Sequence, residues 1–478
     1  MVAGIVLLSA VLNLIGLTWG LPSERRNALY PAGPARVEIV TAPHQTHPYY
    51  LLEPILSRHP DEYIFIVGAL QMSLNPLDLV PESIPYGYLS TYLLAAGIGA
   101  GGVLNLIDVR PGDEVFYVDH PDEMAKMYLV GRLLSVLAGV GSVLLLYGIG
   151  KALRDHTTGA LAALSLAITP LFVTHTHYLV SNVVMTFFML LVILTALWMC
   201  RTRGSIWIYL LAGLLCGFVI SNKPSGAVIF LVPLFVHFWL FRWGGLRRLI
   251  PLLLLVLGTL LGFIVTSPIY FLAPQDAAYR TSMLFLYVQV PYLFPRLLAI
   301  INALSWPVFL WLLAGGIYIA DQTRRTRAFA PSLLLIWALG ILPTIALGNG
   351  TFSRYAIPLM PPLALASAWL AVDAYRSADR RRWLALGLGA AALMVGFVYS
   401  LHSDAALAML PIQDQVGEWA ASNVPAGARV ATRLPMYFYD PLLDSTRYVL
   451  QDLDTLDCAD LPDYVIADAG SWRLWKRT

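Results

Sequence analysis

Arg247-Arg248-Leu249-Ile250-Pro251-Leu252-Leu253-Leu254-Leu255-Val256-Leu257-Gly258-Thr259-Leu260-Leu261-Gly262-Phe263-Ile264-Val265-Thr266-Ser267 decides the fold. Two cations open the stretch, and no charged residue follows through Ser267. A helix of about 20 apolar residues crosses the hydrocarbon core of a bilayer. Runs of this kind recur along most of the 478 residues. The chain is 58% hydrophobic and 13% charged, with a mean hydropathy of +0.68. A soluble protein of this size has too little interior to hide so much apolar surface. The sequence therefore predicts an all-α polytopic membrane protein. Its net charge of +2 is scattered rather than gathered into a basic domain, so no nucleic-acid partner is expected. Cys200, Cys216 and Cys458 stand far apart and make no disulfide or metal pattern.

Eleven spans are predicted, near residues 2–21, 127–150, 158–174, 178–199, 206–221, 224–241, 247–267, 299–320, 329–348, 354–375 and 383–402. The first run has no basic segment before it and reads as a retained span, with a cleaved signal peptide as the alternative. Cytoplasmic loops carry an excess of Lys and Arg. With the N-terminus inside, the inner loops hold Lys151 and Arg154; Arg201 and Arg203; Arg242, Arg247 and Arg248; Arg324, Arg325 and Arg327; and Arg376, Arg380, Arg381 and Arg382. The short outer connections are nearly free of such residues. Arg25 and Arg26 argue the other way, but five basic loops outweigh one pair.

Tyr86 to Leu106 is apolar enough to enter the bilayer. Counted as a full crossing, it would put the later basic loops outside. It is read instead as a juxtamembrane or half-inserted helix, weakened by the run Gly97-Ile98-Gly99-Ala100-Gly101-Gly102. Residues 1–402 then form a transmembrane domain with a long outer loop over 22–126. A second outer loop, 268–298, is rich in aromatics, Pro and Gln. The polar residues 403–478 form a small α/β extracytoplasmic segment. A helix is expected over Gln413–Asn423, with strands over Arg429–Arg433 and Asp463–Ile466.

The first outer loop contains His59-Pro60-Asp61-Glu62. Adjacent carboxylates at a water-facing membrane surface can act as a base or hold a cation. Their mutual repulsion would also favour a protonatable pair. The bland alternative is a helix start, where Pro and acids are ordinary. A second copy, His120-Pro121-Asp122-Glu123, runs directly into a span with Lys126 close by. Spacing and composition leave open which copy is chemical.

Further polar residues cluster on the same predicted face. An Arg placed like Arg132, at a membrane entrance, ordinarily snorkels to the headgroups; pairing with the loop carboxylates is the alternative. His175 and His177 can face one site only if the backbone there is not helical, so they make a weak metal pair. Asn182 follows them. Lys223, Arg280, and Arg354 with Tyr355 stand at the outer ends of spans or in outer loops. Such cations suit the phosphate or pyrophosphate of a lipid head, with headgroup anchoring as the alternative.

Several of these pieces stand in a telling order. They are His59-Pro60-Asp61-Glu62, Leu74-Asn75-Pro76, Pro85-Tyr86, Gly131-Arg132-Leu133-Leu134-Ser135 and Gly159-Ala160-Leu161-Ala162-Ala163. His177-Tyr178 with Asn182, Thr266-Ser267-Pro268, and Arg354-Tyr355 with Pro358, Pro361 and Pro362 come next. In this order, over about residues 1–400, the chain resembles the type-C glycosyltransferase superfamily. The resemblance is to bacterial members akin to protein O-mannosyltransferases and aminoarabinose transferases. Each motif is loose alone; their order is the specific signal.

The resemblance implies a multi-pass enzyme of the bacterial cytoplasmic membrane with its active site facing outward. It would move a sugar from a polyprenyl-phosphate carrier to a lipid, glycan or protein acceptor. It also implies that the first acidic motif is the catalytic one, which falls on Asp61 and Glu62. His59, Arg132, His175, His177, Asn182, Lys223, Arg280, Arg354 and Tyr355 become substrate-binding candidates. Relatives often carry Asp after the third span, where this chain has Asn182. Asn is no base and a weaker cation ligand, which puts a two-carboxylate mechanism, or one assisted by a divalent-cation cofactor, in doubt.

The chemistry works without that Asp. A sugar on a phosphate already has a good leaving group, so only the attacking hydroxyl or amine needs a base. Asp61 fills that role, and Glu62 orients it or holds a cation. Single displacement inverts the anomeric centre. A transporter or flippase would instead need intramembrane charges near the midplane and a repeat between its halves. A third alternative is a non-catalytic scaffold whose tail binds a partner.

Overall fold

The computed structural model describes residues 1–42, 47–49, 52–74, 77–81, 87–241, 249–277, 292–348, 350–380, 382–456 and 461–467. Arg280, the Asn75-Pro76 and Pro85-Tyr86 pieces, and Arg242, Arg247, Arg248 and Arg381 lie outside these residues. The first span is α1 (Val2–Leu14). The first long loop contains α2 (Glu62–Leu70) and α3 (Leu89–Val103). Then follow α4 (Pro121–Leu153), α5 (His156–Ala167), α6 (Pro170–Thr176), α7 (Ser181–Arg201) and α8 (Ile206–Asn222). The second half comprises α9 (Pro224–Phe241), α10 (Leu249–Val265), α11 (Leu293–Leu304) and α12 (Trp306–Thr326). It continues with α13 (Phe329–Ala346), α14 (Ser353–Arg376) and α15 (Arg382–Leu407). The tail adds α16 (Ile412–Asn423).

Each of the eleven expected stretches holds a helix. Among the described residues, seven helices are long and apolar enough to cross a membrane, or up to nine if each of two bent pairs is one span. α1 and α8 are shorter apolar helices, as is α3. The bent pairs correct the reading of two straight spans. α5 and α6 meet at 60°, α11 and α12 at 108°. Both breaks carry a proline, Pro170 and Pro307, in the first turn of the following helix. There its missing N–H costs nothing, whereas a continuous helix would clash with its ring. Ser305, at φ +69°, turns the chain between α11 and α12.

Small residues bring the helices together. A Cβ on Gly213 of α8 would lie 2.2 Å from the Leu255 carbonyl oxygen of α10, and one on Gly262 2.2 Å from that of Leu214. The spacings Gly213/Gly217 and Gly258/Gly262 put a glycine stripe on each helix and let the backbones touch, as membrane helices require where no hydrophobic drive separates lipid from protein. Leu253, Leu257, Leu260 and Val265 of α10 are exposed, as the apolar residues of a lipid-facing side are.

The tail carries a parallel three-stranded sheet, β1 (Arg429–Thr432) between β2 (Val449–Asp452) and β3 (Tyr464–Val465). Its core is shared with the first loop: Leu29, Tyr30, Ile39, Tyr49 and Leu52 pack with Ala420, Val430, Met436 and Leu443. Buried Arg58 pairs with buried Asp414 of α16. Two residues in contact lie on one side of a membrane, so an even number of crossings separates Arg58 from Asp414. The ten spans expected between them satisfy this. Counting α3 as a further crossing beyond Arg58 would not.

Candidate active site

The site forms where the first loop meets the α6–α7 connection and the start of α14. Pro60 and Asp61 lead into α2, so His59-Pro60-Asp61-Glu62 does begin a helix. It is not a surface start, because Glu62 is wholly buried. Its Oε1 accepts from Arg132 Nε at 2.9 Å and from the Leu179 backbone N–H at 3.0 Å. Its Oε2 accepts from Arg132 Nη2 and from Ser57 Oγ, each at 2.7 Å. Burial alone would raise the Glu62 pKa, but the paired guanidinium overcomes this and holds it below the ordinary value.

Arg132 is also fully buried, and its Nη1 donates to the Leu17 and Trp19 carbonyls at 2.6 and 2.8 Å. The snorkelling reading is thereby corrected: Arg132 turns inward because a buried carboxylate is there to pair with it. One ion pair thus fastens α2, α4, the end of the first span and the α6–α7 connection together.

Asp61 diverges from its neighbour. Its Oδ2 lies 2.8 Å from Arg354 Nη1, with the side chain 17% exposed. Each carboxylate has its own guanidinium, so the two do not form the shared protonatable pair expected from adjacency. Arg354 itself sits 4.1 Å over the Phe352 ring. Its backbone carbonyl accepts from Asn182 Nδ2 at 2.7 Å, and Asn182 Oδ1 accepts from Lys223 Nζ at 2.9 Å. An Asp at position 182 would have no N–H to hold that carbonyl.

Lys223 lies between α8 and α9, extended because the following proline disfavours helix there. Burial and the neighbouring Arg354 push its ammonium pKa down to about 7, while Asp61 acts in the opposite sense. Its Nζ stands 5.0 Å from the Tyr355 ring centroid, and Arg296 flanks the same ring at 5.8 Å. Arg296 is a site neighbour that the sequence reading missed. It is buried, and its guanidinium gathers the carbonyls of Ile345, Ala346, Gly348 and Gly350.

The two histidines do not converge. The backbone from Pro170 to Thr176 is helical, so residues two apart point apart. His175 Nδ1 contacts the Leu171 carbonyl and lies within electrostatic reach of His59 and Arg354. His177 is buried and faces Asp404 of α15 at 3.5 Å. His59 stacks on Tyr178, with ring centroids 4.4 Å apart. Burial lowers its imidazole pKa, favouring the neutral ring.

The second motif is built otherwise. Asp122 is exposed in the first turn of α4, and Glu123 accepts from Lys126 at 2.5 Å and from the Asp108 backbone at 2.9 Å. That is a helix start with a local ion pair. A divalent cation does not fit the first motif as it stands. Glu62 has two cationic donors from Arg132 already in place, and among the described residues no group of three or more His, Cys, Asp or Glu side chains converges.

Residues 126–272 match the family described as dolichyl-phosphate-mannose-protein mannosyltransferase. That segment includes Arg132, Asn182 and Lys223 and lies beyond Asp61. No curated protein matches the sequence. The structure is similar to ArnT from Cupriavidus metallidurans bound to undecaprenyl phosphate. The TM-score is 0.51 and the identity 14%, over 84% of this chain and 82% of that one. It is also similar to the archaeal oligosaccharyltransferase AglB from Archaeoglobus fulgidus, in complex with an inhibitory peptide and a dolichol-phosphate. There the TM-score is 0.50 and the identity 13%, over 93% of this chain and 64% of that longer one. The chain thus shares the fold of these two solved transferases, and its residues 126–272 match the mannosyltransferase family.

Proposed function

We propose that the protein is a membrane glycosyltransferase that moves a sugar from a polyprenyl-phosphate donor to an acceptor, with inversion. We further propose that it lies in a bacterial cytoplasmic membrane with this site on the outer face. One observation carries the reading: Asp61, partly open to solvent, stands 2.8 Å from Arg354, which Asn182 links to Lys223. A carboxylate base thus adjoins two cations suited to a lipid phosphate. The solved relatives hold undecaprenyl phosphate in one case and dolichol-phosphate in the other, which supports a lipid-phosphate donor here.

In the proposed step the acceptor hydroxyl or amine gives its proton to an Asp61 oxygen and attacks the anomeric carbon. The bond from that carbon to the phosphate oxygen breaks, and its electron pair leaves with the phosphate. The products are the glycosylated acceptor, the polyprenyl phosphate and a protonated Asp61. Arg354 and Lys223 offset the charge left on the phosphate. Before the donor binds, Arg354 pairs with Asp61; the phosphate offers that guanidinium another anion and leaves the carboxylate to work as a base. Glu62 is too enclosed to touch substrate and acts as a positioning residue, fixing the start of α2 and hence Asp61. A transferase assay on the Asp61→Asn variant tests the reading.

A further inference from the structure

We propose that Tyr439, carried by the C-terminal segment, recognises the sugar ring of the donor and forms an aromatic wall beside Asp61 with His59 and Tyr178. The inference rests on the transferase reading and deepens it. The turn bearing Tyr439 is fixed from the residue that precedes the acidic motif. Arg58, the residue before His59, donates from Nη1 to the carbonyls of Phe438 and Asp440, at 3.1 and 3.0 Å, on either side of Tyr439. The same guanidinium pairs with Asp414, and the Met436 N–H donates to the Pro48 carbonyl at 2.7 Å. Within the turn, Tyr437 and Asp440 exchange backbone and side-chain bonds of 2.9 Å.

This pinned turn buries Met436 and Asp440 but leaves the Tyr439 side chain 67% exposed. The pinned turn fixes the backbone that carries the ring, so less freedom remains to be lost when a ligand binds, which favours recognition. Its surroundings say what it faces. The Asp61 carboxylate and the Arg354 guanidinium both lie within electrostatic reach of the Tyr439 hydroxyl. The Tyr178 and Tyr439 hydroxyls are within electrostatic reach of each other. Tyr178 in turn stacks on His59, whose buried Nδ1 has no hydrogen-bond partner among the described residues.

The donor's sugar is one bond from its phosphate. If the phosphate meets Arg354 and the base is Asp61, the sugar ring lies beside both. His59 and Tyr178 stack there, and Arg58, adjacent to His59 in sequence, holds the turn that carries Tyr439. Sugars offer C–H faces to aromatic rings, and Tyr and His add a polar edge for hydroxyls.

The test uses the purified full-length protein in lipid nanodiscs. Its probes are undecaprenyl phosphates bearing mannose, glucose or arabinose, and undecaprenyl phosphate without a sugar. Tyr439→Ala is expected to weaken binding of the preferred sugar-bearing probe about three- to tenfold, the scale of one aromatic contact. It should leave the sugarless probe unaffected, and Tyr439→Phe should bind like wild type. Tyr437→Ala, in the same turn, controls for general loosening. Equal affinity of wild type and Tyr439→Ala for the sugar-bearing probe overturns the inference alone. So does an equal loss for the sugarless probe, or an equal loss in Tyr437→Ala. If the wild-type protein binds no probe, the transferase reading falls and takes the inference with it.

Discussion

Arg354 Nη1 stands 2.8 Å from Asp61 Oδ2, and this bridge joins the first loop to the start of the tenth predicted span. It links a candidate base with a candidate phosphate ligand, although the two lie 293 positions apart in sequence.

Arg354→Gln and Lys223→Gln should each weaken binding of a polyprenyl-phosphate donor more than binding of an acceptor. A charge-assisted contact to phosphate is worth roughly 1.5–3 kcal/mol, so donor affinity should fall about tenfold or more. Titration of donor into membranes containing each variant checks this. Unchanged donor affinity in both would return these residues to headgroup anchoring.

Donor binding should also depend on pH through Lys223. Its ammonium pKa is lowered to about 7, chiefly by burial. Below that value the side chain is charged and attracts phosphate; above it the neutral amine does not. Donor affinity should therefore decline as pH rises from 6 to 8, and Lys223→Gln should flatten that slope. A slope that survives the substitution would assign the dependence to another group.

Glu62→Gln should destabilise the protein rather than only slow it. Removing one partner of a buried ion pair leaves the other charge uncompensated, at a cost of about 3–5 kcal/mol. Thermal unfolding in detergent should show Glu62→Gln well below wild type, with Asp61→Asn losing less because its ion pair is less fully buried.

Orientation is open to direct labelling. A cysteine placed near residue 440 should react with an impermeant thiol reagent added from outside, and one near residue 325 should not. The reverse pattern would put the site on the cytoplasmic side.

Much of the fold was legible because it is written locally. Uncharged apolar runs announce the spans, and the helix and strand expected from Gln413 and Arg429 appear as Ile412–Asn423 and Arg429–Thr432. Strand β2, Val449–Asp452, was missed because its residues are mixed and only partly buried. The bend after Leu304 was missed because the runs on both sides are apolar and only Pro307 marks the break. At the site, the first motif and the order of its neighbours could be read. Its wiring could not. Arg58 finds Asp414 across 356 positions and Glu62 finds Arg132 across 70, and no periodicity records such pairs. Arg296 looks like any cation on an amphipathic helix until the carbonyls it gathers are seen.

The most direct test of the central claim is sugar transfer from a polyprenyl-phosphate donor by membranes carrying wild type, Asp61→Asn or Asp122→Asn. Asp61→Asn keeps the size of the side chain and removes its basicity, so turnover should fall by roughly 10²-fold or more. Donor binding and folding should survive, and Asp122→Asn should transfer like wild type, because Asp122 is an exposed residue of a helix start. If Asp122→Asn abolishes transfer while Asp61→Asn leaves it intact, the catalytic motif is the second one. If both leave it intact, Asp61 is not the base and the proposed mechanism is wrong.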